Sequence, residues 1–152
     1  MDENHIPSIT RMELIELLNQ DLSLEVHSVT CYVNSSRRIN DNSALAESLK
    51  LHAEEEITQA MTIAAQIDAL GGAPAIAQMP ANRTEMPDDM LGRELESEAA
   101  SISRYRKRVE QCEMLGELEV AQFIRRILAQ DMEHFSRLAA MLTESGALQS
   151  EA

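Results

Sequence analysis

The sequence contains few of the residues that interrupt helices or cross-link small domains. Its 152 residues include two cysteines, five glycines, four prolines and four aromatic residues, with no tryptophan. Two cysteines are too few for the disulfide framework of a small secreted protein and fit a reducing compartment. Because helix-breaking residues are scarce while Leu, Ala, Glu, Met and Arg are abundant, we expect helices rather than sheets, in a single domain over residues 1–152.

Long apolar runs and basic residues are also scarce. No window approaches the roughly 20 consecutive apolar residues of a membrane span, and the N-terminal MDENHIPSIT lacks the basic and apolar regions of a signal peptide. The chain is therefore expected to be soluble and cytoplasmic, with no membrane partner. Its 26 acidic and 13 basic residues give a net charge of −13. This charge disfavours nucleic acid as a partner, because a phosphate backbone requires a basic face.

Helix-capping and helix-breaking residues divide the chain into four long segments. A capping box formed by Thr10 and Glu13 marks the first start, Gly71 ends the second segment, Pro87 opens the third, and Gly146 stops the fourth. No fifth helix of convincing length follows. The predicted helices cover residues of about 10–38, 43–70, 87–115 and 117–143.

The connection between the second and third helices predicts the topology. The other two connections are only a few residues long, so each flanking helix pair forms an antiparallel hairpin. The middle segment APAIAQMPANRTEMP has three prolines in 15 residues, which forbid regular structure. Its extended reach of ~50 Å exceeds the ~42 Å length of a helix of ~28 residues. The sequence therefore predicts an all-α four-helix bundle, with two antiparallel hairpins joined by a long crossover.

Acidic residues interrupt the apolar rows that should face the bundle interior. The row of the fourth helix contains Asp131 and His134, and the same spacing places Glu25, Glu56 and Glu98 in the rows of the other helices. Each acid lies 15 to 18 residues from the turn of its hairpin, and residues equidistant from a turn face each other. We therefore expect Glu25 opposite Glu56, Glu98 opposite Asp131 and His134, and all of them in one layer.

Burying four carboxylates in one layer costs several kcal/mol per ion unless something offsets it. The rows contain no Lys or Arg, so the candidates are shared protons with raised pKa values and bound divalent cations. Carboxylates and imidazole suit iron, manganese and zinc. The spacing of Asp131 and His134 puts both on one helix face, within reach of one ion. A lone core histidine is more often hydrogen-bonded than a ligand, but four acids at one level favour a metal site.

The residue pattern resembles that of the ferritin-like superfamily, and of bacterioferritins most closely. In that pattern two helices each carry a Glu and the other two each carry Glu-x-x-His. The resemblance covers nearly the whole chain, in the segments LNQDLSLEVHSVTCY, EEEITQAMTIAAQIDALGGAP, MLGRELESEAASISRYRKRVEQCEMLGE and ILAQDMEHFSRL. It implies a ferritin-like topology, with Tyr32 as the tyrosine beside a dimetal site and Tyr105 as a further hydrogen-bond or electron donor. The metal ligands that it implies are Glu25, Glu56, Glu98 and His134.

The sequence departs from the family pattern at two ligand positions. Gln59 stands where the first motif has histidine, and Asp131 replaces the glutamate of the second motif. A glutamine offers only a neutral carbonyl oxygen, so one metal position is expected to be weak, empty or remodelled. His52, on the same face of the helix, is a possible substitute. Ile57 stands where bacterioferritins have their haem-ligating Met, so no haem is expected, and the missing fifth helix argues against a 24-subunit cage.

The resemblance implies a dinuclear iron protein that binds Fe(II) and oxidises it with O₂ in iron storage or detoxification, with Mn or Zn as possible metals. A homo-oligomer, either a dimer or a larger shell, is expected. One alternative is a non-catalytic bundle with an incomplete metal site that acts as a structural or interaction module, which Gln59 favours. A second alternative is an oxidoreductase that consumes peroxide at the same dimetal site.

Overall fold

The computed structural model describes residues 8–36, 43–78 and 87–150, with side chains up to residue 78 and from 91 to 143. Four helices account for nearly all of these residues, and none of them forms a strand. The helices are α1 (Arg11–Ser35), α2 (Ala44–Ala69), α3 (Pro87–Met114) and α4 (Leu118–Ser150). The predicted all-α class and four-helix bundle are therefore confirmed. Within the described residues, no helix is long and apolar enough to cross a membrane.

The helix ends follow the predicted capping residues except at the end of α4. At the start of α1, the Thr10 hydroxyl accepts from the backbone N–H of Glu13 at 3.1 Å, and the Glu13 carboxylate accepts from the N–H of Thr10. Gly71 and Gly116 take positive φ angles of 88° and 74° after α2 and α3, which suits a residue without Cβ. The fourth helix extends to Ser150, past its predicted end near residue 143. A glycine inside a helix costs only about 1 kcal/mol relative to alanine, so Gly146 does not stop it.

The chain forms the hairpins α1–α2 and α3–α4, which pack together through α2 on α4 and α1 on α3. Arg11, at the start of α1, pairs with Glu117 in the turn between α3 and α4 at 2.6 Å. Since α2 and α3 both end at this end of the bundle, the chain between them must travel back along its length. Residues 73–78 begin that path, because Ala75 and Ala77 donate backbone hydrogen bonds to Asn19 and Ser23 of α1. The rest of the predicted crossover, 79–86, and the predicted turn at 39–42 lie outside the described residues.

The apolar core is divided along the bundle axis. The larger cluster lies toward the α3–α4 turn and includes Leu14, Leu18, Ile63, Ile67 and Ile124. A smaller cluster toward the other end gathers Tyr32, Leu45 and Ala46 around Leu49. Between the two clusters the inward-facing residues are polar, and this layer contains the acids singled out from the sequence.

A buried ion pair connects α1 to α3 beside the polar layer. Arg108 donates from Nε to Oδ2 of Asp21 at 2.7 Å and from Nη2 to Oδ1 at 3.2 Å. Asp21 is 0% and Arg108 6% exposed. Arg108 lies beside the apolar row of α3, next to Val109, so a basic residue from outside the row supplies a buried positive charge.

We expect Arg108→Ala to lower the free energy of unfolding by about 3–5 kcal/mol, because the buried Asp21 carboxylate loses its hydrogen-bonded partner and keeps only the longer contact of 3.6 Å with Nε of Arg104. Urea denaturation followed by circular dichroism measures this loss. The double variant Asp21→Asn, Arg108→Met should recover much of it, since neither charge remains. A loss below about 1 kcal/mol in the single variant would show that Arg104 or water compensates the carboxylate.

Candidate metal centre

Each helix contributes one buried acid to the polar layer. These are Glu25 from α1, Glu56 from α2, Glu98 from α3 and Asp131 from α4, which are between 1% and 6% exposed. They are close enough for the negative charges of Glu56, Glu98 and Asp131 to act on Glu25. The structure therefore brings together the four acids that the sequence placed at one level.

Two histidines complete the cluster on the side nearer the α1–α2 connection. Nδ1 of His52 and Nδ1 of His134 share a hydrogen bond of 2.8 Å, with the rings edge to face at 83°. Nε2 of His52 lies 2.9 Å from Oε1 of Glu98 and 3.3 Å from Oε2 of Glu94, and it also contacts Oε1 of Glu56. Nε2 of His134 contacts the carboxylate of Glu55. His52 is thus surrounded by three carboxylates and linked to the second imidazole.

Gln59 is directed toward α4 from the same layer. Its side-chain NH₂ donates to Oδ1 of Asp131 and to Oε1 of Gln130, both at 3.1 Å. Gln59 is 2% exposed, and its carbonyl oxygen has no hydrogen-bond partner. The amide therefore holds Asp131 in place through its hydrogens.

A tyrosine hydroxyl contacts the cluster from α3. Tyr105, which is fully buried, donates its hydroxyl to Oε1 of Glu25 at 2.5 Å. Tyr32, the tyrosine that the family resemblance placed beside the metals, packs half-buried against Leu49. The hydroxyl seen to orient a carboxylate of the cluster is therefore that of Tyr105.

The donor set fits divalent cations. Several buried oxygens have no hydrogen-bond partner, and an unsatisfied buried acceptor costs about 1–3 kcal/mol, more when it is charged. A cation coordinated by these oxygens and by imidazole nitrogen would satisfy them, and this combination of ligands suits iron, manganese and zinc. The oxygens are Oε2 of Glu55, Glu56, Glu94 and Glu98, Oδ2 of Asp131 and Oε1 of Gln59.

Burial changes the protonation of these groups. It raises the pKa of Glu25 to about 8, helped by nearby acids and opposed by the Tyr105 hydrogen bond, and it raises the pKa of Asp131 to about 7. Burial and the proximity of His52 lower the pKa of His134 to about 4. Although burial opposes a charged ring, the close carboxylates of Glu56, Glu94 and Glu98 raise the pKa of His52. Near neutral pH the metal-free cluster therefore holds protons that a cation can displace.

A groove between α1 and α3 opens onto the cluster. Its volume is about 650 Å³, and its walls include Glu25, Glu56, Glu94 and Glu98. Cys31 and His27 stand on the α1 side, with Sγ of Cys31 3.5 Å from Nε2 of His27. Five glutamates outnumber two arginines, Arg93 and Arg104, in its walls. Net acidic walls attract cations, so the groove provides a path to the buried carboxylates.

Two acids of the cluster were not singled out from the sequence. Glu94 lies one helical turn before Glu98 and therefore on the same face, a spacing that the sequence contains. Glu55 directly precedes Glu56 in a run of three glutamates, where periodicity does not indicate which neighbour turns toward α4. Both lie next to a histidine of the cluster.

Comparisons with known proteins agree on one family. The profile of the ferritin-like domain family matches residues 15–146. A bacterioferritin of Desulfovibrio desulfuricans is 26% identical over 129 residues, which are 83% of this chain and 72% of that protein. A ferritin-like diiron-carboxylate protein of Bacillus anthracis superposes with a TM-score of 0.79 at 28% identity, over 87% of this chain and 96% of the other. A dodecameric thioferritin of Bacteroides fragilis, described as bacterioferritin-related, has a TM-score of 0.79 at 21% identity, over 95% and 92% of the two chains.

Proposed function

Because this chain belongs to the ferritin-like domain family, as its residue pattern predicted, we propose that it binds two ferrous ions and oxidises them with dioxygen. The buried layer of four acids and two histidines, contributed by α1 to α4, is the main support for this proposal. Its unsatisfied oxygens are the supporting detail, since a structural polar layer would be expected to pair them. The ions are the substrate in this proposal, and manganese or zinc could bind to the same groups.

The residues of the layer have separable roles in this reaction. When bound, a pair of ferrous ions supplies two electrons to dioxygen, one from each ion. Glu25, Glu56, Glu98 and Asp131 would offset the positive charge of the cations, and their burial excludes bulk water. His134, with its lowered pKa, is neutral near pH 7, so a cation can coordinate its ring in place of the hydrogen bond to His52 or the contact with Glu55.

Two neutral side chains position the carboxylates. The Tyr105 hydroxyl fixes one oxygen of Glu25, and the Gln59 amide fixes one oxygen of Asp131 while leaving Oδ2 free. Partners of this kind orient metal ligands, and their removal typically costs 10–100-fold in metal affinity or activity. We therefore place both side chains in the proposed site as positioning residues.

We extend the proposal to a homo-oligomer, because storing oxidised iron requires a closed shell while a dimer can only bind and oxidise it. The dodecamer formed by the Bacteroides fragilis relative supports this extension. Light scattering on the purified chain measures the mass of the assembly. A monomer would remove storage from the proposal and leave oxidation unaffected.

The test is dioxygen consumption after Fe(II) is added to metal-free protein, with buffer alone as the reference. We expect oxidation well above the buffer rate, with one O₂ consumed for each two or four Fe(II). Consumption of hydrogen peroxide without oxidation by O₂ would favour a peroxide-consuming oxidoreductase. If neither oxidant is consumed above buffer, the bundle is non-catalytic. The hydrogen bond that Gln59 donates to Asp131, where a metal ligand would be needed, would then explain that outcome.

We expect Tyr105→Phe to slow Fe(II) oxidation about 10–100-fold, because the Glu25 carboxylate loses the hydroxyl that orients it. The same oxidation assay measures the change. Tyr32→Phe is the matched control, since Tyr32 packs against Leu49, and its rate should stay within about 2-fold of wild type. A larger loss in Tyr32→Phe than in Tyr105→Phe would return the role to Tyr32.

A further inference from the structure

We propose that one cation site of this chain is formed by His52, Glu56, Glu94 and Glu98. This site lies about one helical turn along the bundle from a site that would use residue 59 as a ligand. The inference rests on the proposed function only in requiring that the layer binds cations. In this site His52 takes the place of the histidine ligand that α2 lacks at residue 59, and Glu94 of α3 is an additional ligand. These two residues lie one turn before Glu56 and Glu98 on the same helix faces.

The position of Gln59 gives the first reason. Both hydrogen bonds made by its side chain are donated, to Asp131 and to Gln130, so its hydrogens and not a lone pair face the acid of α4. A cation between Gln59 and Asp131 would have to displace these donors. At His52, by contrast, three carboxylate oxygens surround one ring nitrogen, so possible ligand atoms already face one another.

The spacing of the atoms around His52 gives the second reason. Bonds of about 2.0–2.1 Å from zinc-sized cations to nitrogen and oxygen put neighbouring ligand atoms about 2.9–3.4 Å apart. Nε2 of His52 lies 2.9 Å from Oε1 of Glu98 and 3.3 Å from Oε2 of Glu94, within that range. Ligand atoms of His52, Glu56 and Glu94 all lie within 4.8 Å of one another. Ligand atoms of His52, Glu98 and His134 form a second group of this kind. Because His52 is common to both groups, small movements would be enough to add Glu98 to His52, Glu56 and Glu94 around one ion.

Burial and access give the third reason. His52, Glu56 and Glu98 are 3% to 5% exposed, and the second oxygens of Glu56 and Glu98 have no hydrogen-bond partner. The side chain of Glu94 is 18% exposed and stands in the wall of the groove between α1 and α3. The site thus has buried ligands on one side and a carboxylate at the mouth of the groove, where an arriving cation meets it first.

The experiment counts Zn(II) bound per chain in the assembled protein and locates it by anomalous diffraction. Wild type should bind two ions, with one anomalous peak bonded to Nε2 of His52 and to the Glu94 carboxylate. Glu94→Gln and His52→Gln should each lose one ion per chain, or weaken it at least 10-fold, without loss of helical content. Glu110→Gln, an exposed acid on the same helix and outside the groove, is the matched control and should keep both ions.

The possible results separate this inference from the proposed function. A peak bonded to Gln59, with both ions retained in Glu94→Gln, would overturn the displaced site and leave iron oxidation standing. Two ions located as proposed, without Fe(II) oxidation by wild type, would support the displaced site and overturn the oxidase proposal. No Zn(II) bound by wild type would overturn both.

Discussion

Glu98→Gln is expected to lower the rate of Fe(II) oxidation at least ~100-fold while making the metal-free protein more stable. The two effects have one origin. Glu98 is 3% exposed, places one oxygen 2.9 Å from Nε2 of His52, and leaves the other without a hydrogen-bond partner. The negative charge that makes it a strong cation ligand is therefore a charge buried at a cost when no cation is present.

The expected size of the loss in activity follows from the role of Glu98 as a central metal ligand. Removing a residue that only orients a metal ligand costs 10–100-fold, so removing a central ligand should cost at least the upper end of that range. Oxidation of Fe(II) in air-saturated buffer measures it. Glu110→Gln, at an exposed position on the same helix, is the control and should match wild type. If Glu98→Gln oxidised Fe(II) at the wild-type rate, the reaction would take place outside this layer.

The gain in stability should be about 1–2 kcal/mol, because a neutral amide replaces a buried charge while His52 keeps its contacts with Glu56 and Glu94. The negative charge of Glu98 also acts on Asp131, and its removal relieves that repulsion. Urea denaturation in the presence of a chelator measures the gain. A loss of more than about 1 kcal/mol would show that Glu98 is needed mainly as a partner of His52.

The metal-free protein is expected to lose stability as pH rises from 6.5 to 8.5, and saturating Zn(II) should remove this loss. In that interval the folded state keeps protons that the unfolded state has released, since the pKa values of Glu25 and Asp131 are raised to about 8 and 7 and that of His52 is also raised. A folded state that binds more protons loses stability with rising pH. His134, with its pKa lowered to about 4, contributes its opposite slope below pH 6.5.

The melting temperature measures both effects. Zn(II) at a thousand times its Kd adds about 4 kcal/mol at a single site, which corresponds to about 8–16 °C for a domain of this size. Binding should also release protons, so the shift should be larger at pH 8 than at pH 6.5. Glu25→Gln should flatten the pH dependence of the metal-free protein. A metal-free melting temperature that rises over this interval would contradict the proton-sharing description of the layer.

The fold was largely predictable because its signals are local. The capping box at Thr10 and the glycine after α2 set helix ends through backbone chemistry that a sequence displays directly. The length of the connection from α2 to α3 then restricted the topology. Gly146 was the exception, since continued helix formation outweighs the small cost of one glycine.

The sequence indicated which acids lie at the level of the polar layer, but not which groups they contact there. Periodicity places Glu25 and Glu98 at one height, but it leaves the rotation of each helix uncertain by tens of degrees. The rotation of α3 decides whether Tyr105 reaches Glu25 of α1, and in the structure its hydroxyl does so. The same uncertainty concealed Arg108, whose long side chain reaches Asp21 from beside its row.

The most direct test of the central claim is an anaerobic titration of metal-free protein with Fe(II), counting the ions bound per chain. The buried layer predicts two ferrous ions per chain, with Glu98→Gln binding at most one. Admission of oxygen at the end point should then oxidise both ions of the wild-type protein. One ion or none bound by wild type, with no oxidation above buffer, would contradict a dimetal centre in this bundle.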